Sequence, residues 1–407
     1  MKLAIKTCTL DMPYEQMLDF CVEQKIAAIE IGTGNWSGAP HCDLDLLVSD
    51  KTAREKWYDA MRKKGLELCA LNCSGNPLAY EKDMDVTKKT FELAHQLGVK
   101  KIVMMSGLPV GCEGDKTPVW ITTSWPPETQ DILDYQWNQV AIPAWKKLVK
   151  LAEDCGIERI ALENHGMQLV YNPETLLRLR KAVGPMIGMN LDPSHLFWMG
   201  GDPIEAARVL GEHGAIYHIH GKDSRPERRY WQPNGMLDTK PIDAFARRSW
   251  NYVAVGAGHD AKWWKEFFSV VRMSGYNDEI SLEMEDLTLS MLDGHLASLQ
   301  VLREALNIGS GNTAQLKRRC FAKILCPDFG FGSLREFRPR CRSFTVIHQV
   351  LPQNCASSVR KIHSQITLVQ LCGIASNLIS IITGAVILTY STCFLYYIKS
   401  QRSLREI

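Results

Sequence analysis

The chain has 407 residues, with 47 Lys and Arg against 45 Asp and Glu, a net charge of +2 with neutral histidines. The charge is unevenly placed: up to Asn307 there are 34 basic and 42 acidic residues, net −8, and after it 13 basic and 3 acidic. This length accommodates one large core or two domains, and the acidic body lacks the basic face on which nucleic-acid binders rely.

The opening MKLAIKTCTLDMP has too short an apolar run for a signal peptide. From there to residue 306, short apolar runs alternate with amphipathic ones. Strands are predicted at 3–8, 27–31, 66–73, 101–105, 159–163, 187–191, 215–220 and 279–283. Each is rich in Ile, Val, Leu or Ala without strict alternation, as expected when both faces are covered. Helices are predicted at 13–24, 51–64, 84–97, 136–155, 172–183, 203–211, 261–274 and 289–306. Several stop at glycine, as in KKGLEL, QLGVKK, DCGIER and MSGYND. Eight strand–helix units are the count of a closed (β/α)8 TIM barrel, with a doubly wound open sheet as the alternative. Polar residues at many strand ends favour the barrel, where all those ends meet at one mouth.

Two connections are too long to be plain turns. Residues 106–135 contain Trp120 and Trp125, and residues 221–258 contain Arg225, Arg228, Arg229, Trp231 and Trp250. Long loops at this end of a barrel are expected to serve a site. Their tryptophans have two readings of equal weight: a cover for a sugar ring, or packing that holds the loops down. The seven cysteines of this part show no CxxC spacing. They are read as reduced, buried hydrophobes of a cytoplasmic protein.

Beyond the barrel unit, 1–307, the rhythm stops. Residues 308–365 form a basic, irregular linker or tail, and 366–407 an apolar C-terminal segment. No Asp, Glu, Lys or Arg occurs between Lys361 and Lys399, and 374–398 is long and apolar enough to span a bilayer. Composition favours a segment foreign to the barrel, such as a read-through or frame-shifted extension, over a C-terminal membrane anchor.

Four predicted strand ends carry metal-type side chains: Glu163 in IERIALENH, Asp192 in MIGMNLDPSH, His220 in IYHIHGKD and Glu283 in DEISLEMED. They end the fifth to eighth predicted strands, neighbours on one side of the mouth. Three carboxylates packed there would repel one another, and a divalent cation such as Mn²⁺, Mg²⁺, Co²⁺ or Zn²⁺ removes the conflict. His220 is preferred to His218, which shares its face a layer below, because it lies nearer the strand end. Glu283 is preferred to Glu285 and Asp286 because it ends the apolar run. Taken singly, each has a plainer reading; Asp192, for one, could cap the following turn.

ALENH, NLDPSH, HIHGKD and SLEMED, in this order and spacing, resemble the xylose-isomerase-like barrel superfamily of sugar-phosphate isomerases and epimerases. LNCSGNPL and the stretch VGAGHDAKWWKEFFSVVRMSGYNDEISLE resemble it too, and the likeness covers about residues 1–306. The resemblance implies one divalent metal, often Mn²⁺, on Glu163, Asp192, His220 and Glu283. It implies that Glu163 and Glu283 act as an acid/base pair, and that His195 and an arginine after the seventh strand, Arg225 being the nearest match, contact substrate. The implied reaction is isomerisation or epimerisation of a sugar or sugar phosphate by proton abstraction through a metal-stabilised enediolate. A polyol or inosose-type dehydratase begins with the same step. A non-catalytic sugar-binding protein is a further alternative. An AP endonuclease of this superfamily needs histidines on the third and fourth strands, which LNCSGNPL and MMSGLPV lack. The expected partner is a small sugar or polyol, with no nucleic acid, with a membrane only if the apolar C-terminal segment is genuine, and with a homo-oligomer compatible. No Walker or dinucleotide-binding spacing points to ATP or NAD.

Overall fold

The structure is a computed structural model, which describes residues 1–307. The segments 308–365 and 366–407, including the apolar run 374–398, lie outside the described residues. Among the described residues no helix is long and apolar enough to cross a membrane.

The strands are β1 (Lys2–Lys6), β2 (Ala28–Gly32), β3 (Glu67–Asn72), β4 (Lys101–Met104), β5 (Arg159–Glu163), β6 (Ile187–Leu191), β7 (Ile216–Gly221), β8 (Asp223–Pro226), β9 (Trp250–Val253) and β10 (Glu279–Leu282). All but β8 and β9 are parallel and close into a barrel in the order β1-β10-β7-β6-β5-β4-β3-β2. The fold is therefore the (β/α)8 barrel, and each predicted strand lies within two residues of an observed one. The open-sheet alternative fails at the closing pair, where β1 bonds β10 from Lys2↔Glu279 to Ile5↔Leu282.

The helices are α1 (Tyr14–Glu23), α2 (Leu44–Ser49), α3 (Lys51–Lys63), α4 (Glu81–Leu97), α5 (Glu128–Asp134), α6 (Ile142–Asp154), α7 (Pro173–Val183), α8 (Pro193–Met199), α9 (Pro203–Glu212), α10 (Arg228–Asn234), α11 (Ala261–Met273) and α12 (Met291–Leu306). Short polar side chains start many of them: Asp50, Asn172, Asp202, Asp260 and Ser290 each accept from a first-turn amide. Gly98 ends α4 with φ +72°, a conformation that costs any residue with a Cβ.

Three differences from the expected elements have identifiable causes. The single helix expected over 136–155 is α6 preceded by a π-helical turn, Tyr135–Ala141. Pro143 lies just beyond it, and the wide turn absorbs the clash of its ring with the carbonyl four residues earlier. The loop expected over 221–258 contains a two-stranded antiparallel sheet, β8 with β9. Its pairing joins residues 24 to 30 apart, which no local pattern announces. Finally, α8 is a seven-residue helix started by Asp192, too short to show a period.

Side chains on the barrel strands divide by face. The large apolar ones, such as Leu3, Ile5, Ile29, Ile102, Leu162, Met189, Ile219 and Leu282, pack outward in one cluster with the helices. Small ones, Ala4, Ala28, Ala70, Val103 and Ala161, form a separate cluster within the barrel. Successive side chains on a strand alternate, so residues two further on return to the inner face. From the four alanines these are Lys6, Glu30, Asn72 and Glu163, all buried, and from Val103 it is the buried Met105. The polar layer at the top of the barrel is thus the next inward layer above a floor of alanines.

All seven cysteines of the described residues are free, and Cys21, Cys42, Cys69 and Cys73 are buried as expected, but Cys8 and Cys155 are only half-buried. Burial pushes Cys21, Cys42 and Cys73 up to about 12, whereas Cys112 is exposed. With iodoacetamide at neutral pH, peptide mapping should find Cys112 alkylated at least about a hundredfold faster than those three. Equal labelling of Cys73 in the native protein would contradict the packing.

Candidate metal centre

Glu163 ends β5, Asp192 follows β6, His220 lies on β7 and Glu283 follows β10. All four are buried, and one donor atom from each lies within 4.8 Å of the others. The structure therefore brings together the four residues expected at the strand ends. His220 Nδ1 lies 2.8 Å from Glu283 Oε2, 3.6 Å from Glu163 Oε2 and 3.8 Å from Asp192 Oδ2.

The outer oxygen of each carboxylate is occupied. Glu163 Oε1 is 2.9 Å from His195 Nε2. Asp192 Oδ1 accepts from the Ser194 amide at 2.8 Å, so the capping reading of this residue is also true. Glu283 Oε1 accepts from Lys6 Nζ at 2.6 Å and stands 3.5 Å from Lys222 Nζ. The inner oxygens, Glu163 Oε2, Asp192 Oδ2 and Glu283 Oε2, are buried and accept no well-aligned hydrogen bond; their near neighbours are imidazole nitrogens, His220 Nδ1 at 2.8 Å from Glu283 Oε2 and His195 Nε2 at 3.3 Å from Asp192 Oδ2. A buried carboxylate oxygen left so is costly, and three of them facing one imidazole nitrogen is the donor set of a divalent cation. Donors about 2.1 Å from a common ion lie roughly 3 to 4 Å apart, which matches the spacing here. The residues fit the ion.

The electrostatics agree. Burial and Glu283 disfavour the Glu163 anion, but His195 and His220 outweigh them and hold its carboxyl below the usual range. Burial likewise opposes ionisation of Glu283, and Lys222, Lys6 and His220 overcome it. His195 is pushed up to about 9: burial opposes its charge, and Asp192 and Glu163 prevail.

The remaining expected residues fall in different places. His195 is buried against Glu163 and Asp192, with its Nδ1 3.2 Å from the Tyr252 hydroxyl. Arg225 is exposed, and its guanidinium binds Glu227. The basic group after β7 that reaches the cluster is Lys222, buried over the Tyr252 ring and paired with Glu285 at 2.7 Å. Neither Lys6 nor Lys222 was assigned to this cluster from the sequence. Their signal was a lysine within two residues of an apolar strand end. Asp223 of HIHGKD belongs to the loop scaffold, accepting from the amides of Gly256, Gly258 and His259.

Trp120, Trp198 and Trp250 pack into a connected wall beside the cluster. Trp120 meets Tyr171 and Trp198 edge-on, Trp198 stacks on Trp250 at 4.9 Å, and Trp250 meets Tyr252, which touches His195. Trp125 stands apart, 73% exposed. Gly166, three residues after Glu163, permits this wall. A Cβ there would lie 2.3 and 2.5 Å from carbons of the Trp198 ring. Gly166→Ala should destabilise the protein by about 1–3 kcal/mol, read as a lower melting temperature; an unchanged melt would show that the wall yields freely.

The sequence profile described as "Xylose isomerase-like TIM barrel" matches residues 18–305. The uncharacterized protein YfiH of Bacillus subtilis (strain 168) is 56% identical over 314 residues, which span 75% of this chain and the whole of that protein. Among solved structures, the probable 3-DHS dehydratase AsbF involved in petrobactin synthesis, from Bacillus anthracis, aligns with TM-score 0.52 at 18% identity, covering 74% of this chain and 98% of that one. The IOLI protein with a binding zinc atom aligns with TM-score 0.52 at 20% identity, covering 75% and 98%. Closed barrel and matching profile agree: the chain belongs to the xylose isomerase-like TIM barrel family.

Proposed function

We propose that this protein is a divalent-metal-dependent isomerase or epimerase of a sugar or sugar phosphate. The observation that carries the reading is the meeting of three buried inner carboxylate oxygens at His220 Nδ1, two of them from glutamates. Glu163, Asp192, His220 and Glu283 would hold the ion. Mn²⁺ is the first candidate from the resemblance, and Mg²⁺, Co²⁺ or Zn²⁺ suit the same donors. Bound there, a divalent cation supplies the electrostatic pull on a substrate carbonyl that acidifies the neighbouring C–H.

The protein's own groups do the rest. One glutamate takes the proton from the carbon beside the carbonyl and the other returns one. Return to the opposite face of that carbon is epimerisation; return to the next carbon is isomerisation. Both carboxyls are held ionised below neutral pH, as an acceptor requires. His195 orients Glu163, and Lys6 and Lys222 orient Glu283. The aromatic wall gives one side of the mouth an apolar face, suited to the C–H face of a sugar or polyol and to excluding water.

The test is deuterium uptake in D₂O from a panel of ketoses, their phosphates and cyclic polyols, with Mn²⁺ present. Deuterium at one carbon, with an epimer or isomer as product, is the expected result. Loss of water from the polyol would identify a lyase instead. No uptake and no product with any of them, despite one bound ion per chain, would identify a binding protein.

A further inference from the structure

Glu30 is a wholly buried carboxylate on β2 that the proposed reaction does not use. It lies against the other ring nitrogen of His220. Its two oxygens each stand 3.2 Å from His220 Nε2; Oε2 is also 2.9 Å from His218 Nε2, and Oε1 accepts from Asn72 Nδ2 at 2.6 Å. Glu30, His218 and His220 have metal-type donors within reach of one another. With the Asn72 amide already donating to Glu30, though, the contacts read as three N–H groups on one acceptor, and this satisfies them without an ion.

An imidazole that donates through Nε2 carries its lone pair on Nδ1. Nδ1 of His220 is the atom facing the three inner carboxylate oxygens. The ring has another neighbour that would not enforce this choice: Asn190 Nδ2 is 3.1 Å from Nδ1 and 3.3 Å from Nε2. We propose that Glu30 is a positioning residue, which by accepting from His220 Nε2 fixes the tautomer and rotation of that ring so that Nδ1 is presented to the divalent cation. The proposal rests on the cluster being a cation site. It explains why a carboxylate is needed on an otherwise apolar strand: only a group with two acceptor oxygens and no hydrogen takes all three donors, whereas glutamine would set its own N–H₂ against one of them. It also gives His218 its place, as a second donor that steadies Glu30.

The experiment is a titration of the chelator-stripped full-length chain with Mn²⁺ alone, by calorimetry, for the wild type, Glu30→Gln and His218→Gln. Glu30→Gln should lose tenfold to a hundredfold in affinity, the range for an outer partner of a ligating histidine, and His218→Gln should lose less than threefold while lowering the melting temperature. A loss under tenfold in Glu30→Gln, or an equal loss in both variants, overturns the proposal and leaves the cation site standing. A wild type that takes up no Mn²⁺ overturns both. Should Glu30→Gln fail to fold, the wild type loaded with Zn²⁺ decides by ¹⁵N NMR of the His220 ring. Metal on Nδ1 with hydrogen on Nε2 supports the assignment, and the reverse overturns it.

Discussion

Glu163→Gln and Glu283→Gln should each slow the exchange of substrate hydrogen with solvent by at least about a hundredfold, the usual worth of a positioned acid or base. Glutamine keeps the length and one acceptor oxygen of glutamate. Glu163→Gln can still accept from His195, and Glu283→Gln from Lys6, so the barrel should remain folded. What is lost is the anion that receives the proton. Both residues also belong to the candidate ligand set. The rate must therefore be compared at saturating Mn²⁺, with affinity measured alongside. A variant that binds Mn²⁺ and exchanges hydrogen near the wild-type rate would exclude that glutamate from proton transfer.

Divalent-ion affinity should rise with pH, by about tenfold per unit, with one proton released per ion bound. Burial opposes a charge on His220, but Glu30 and Glu283 overcome it and hold its pKa well above the ordinary imidazole value. The sign follows directly. The raised pKa means that in the ion-free protein the ring takes up its second proton more readily than a free imidazole, and that proton sits on Nδ1, facing the three carboxylates. An ion that takes Nδ1 must displace that proton, so lower pH favours the ion-free form. Calorimetry in buffers of different ionisation enthalpy counts the protons. His220→Ala should weaken binding by more than about a hundredfold, beyond the cost of losing an outer partner. Affinity that does not change with pH would remove His220 Nδ1 from the coordination.

Much of the candidate site was legible because it is written at strand ends. Each of Glu163, Asp192, His220 and Glu283 closes an apolar run, and an acidic or imidazole group in that position reads the same before and after folding. Arg225 against Lys222 shows the limit. Both follow β7 within five residues of His220, and proximity in sequence does not say which side chain turns inward. Pairing of β8 with β9 carries Arg225 to the surface and leaves Lys222 buried against the face of Tyr252. Glu30 marks a different limit. Its signal, a lone carboxylate inside AAIEIG, was visible, but its meaning depends on β7, nearly 190 residues away.

By itself the sequence determined the number and order of strand–helix units, the glycine stops and the residues ending the last four strands. All of these follow from short-range patterns of polarity and backbone preference. Tertiary structure alone decided closure into a barrel, the aromatic wall, the choice of Lys222, and the pairing of Glu30 with His220. Those depend on sheet register and on contacts between distant segments, and the free energy of such contacts exists only once the barrel has brought them together.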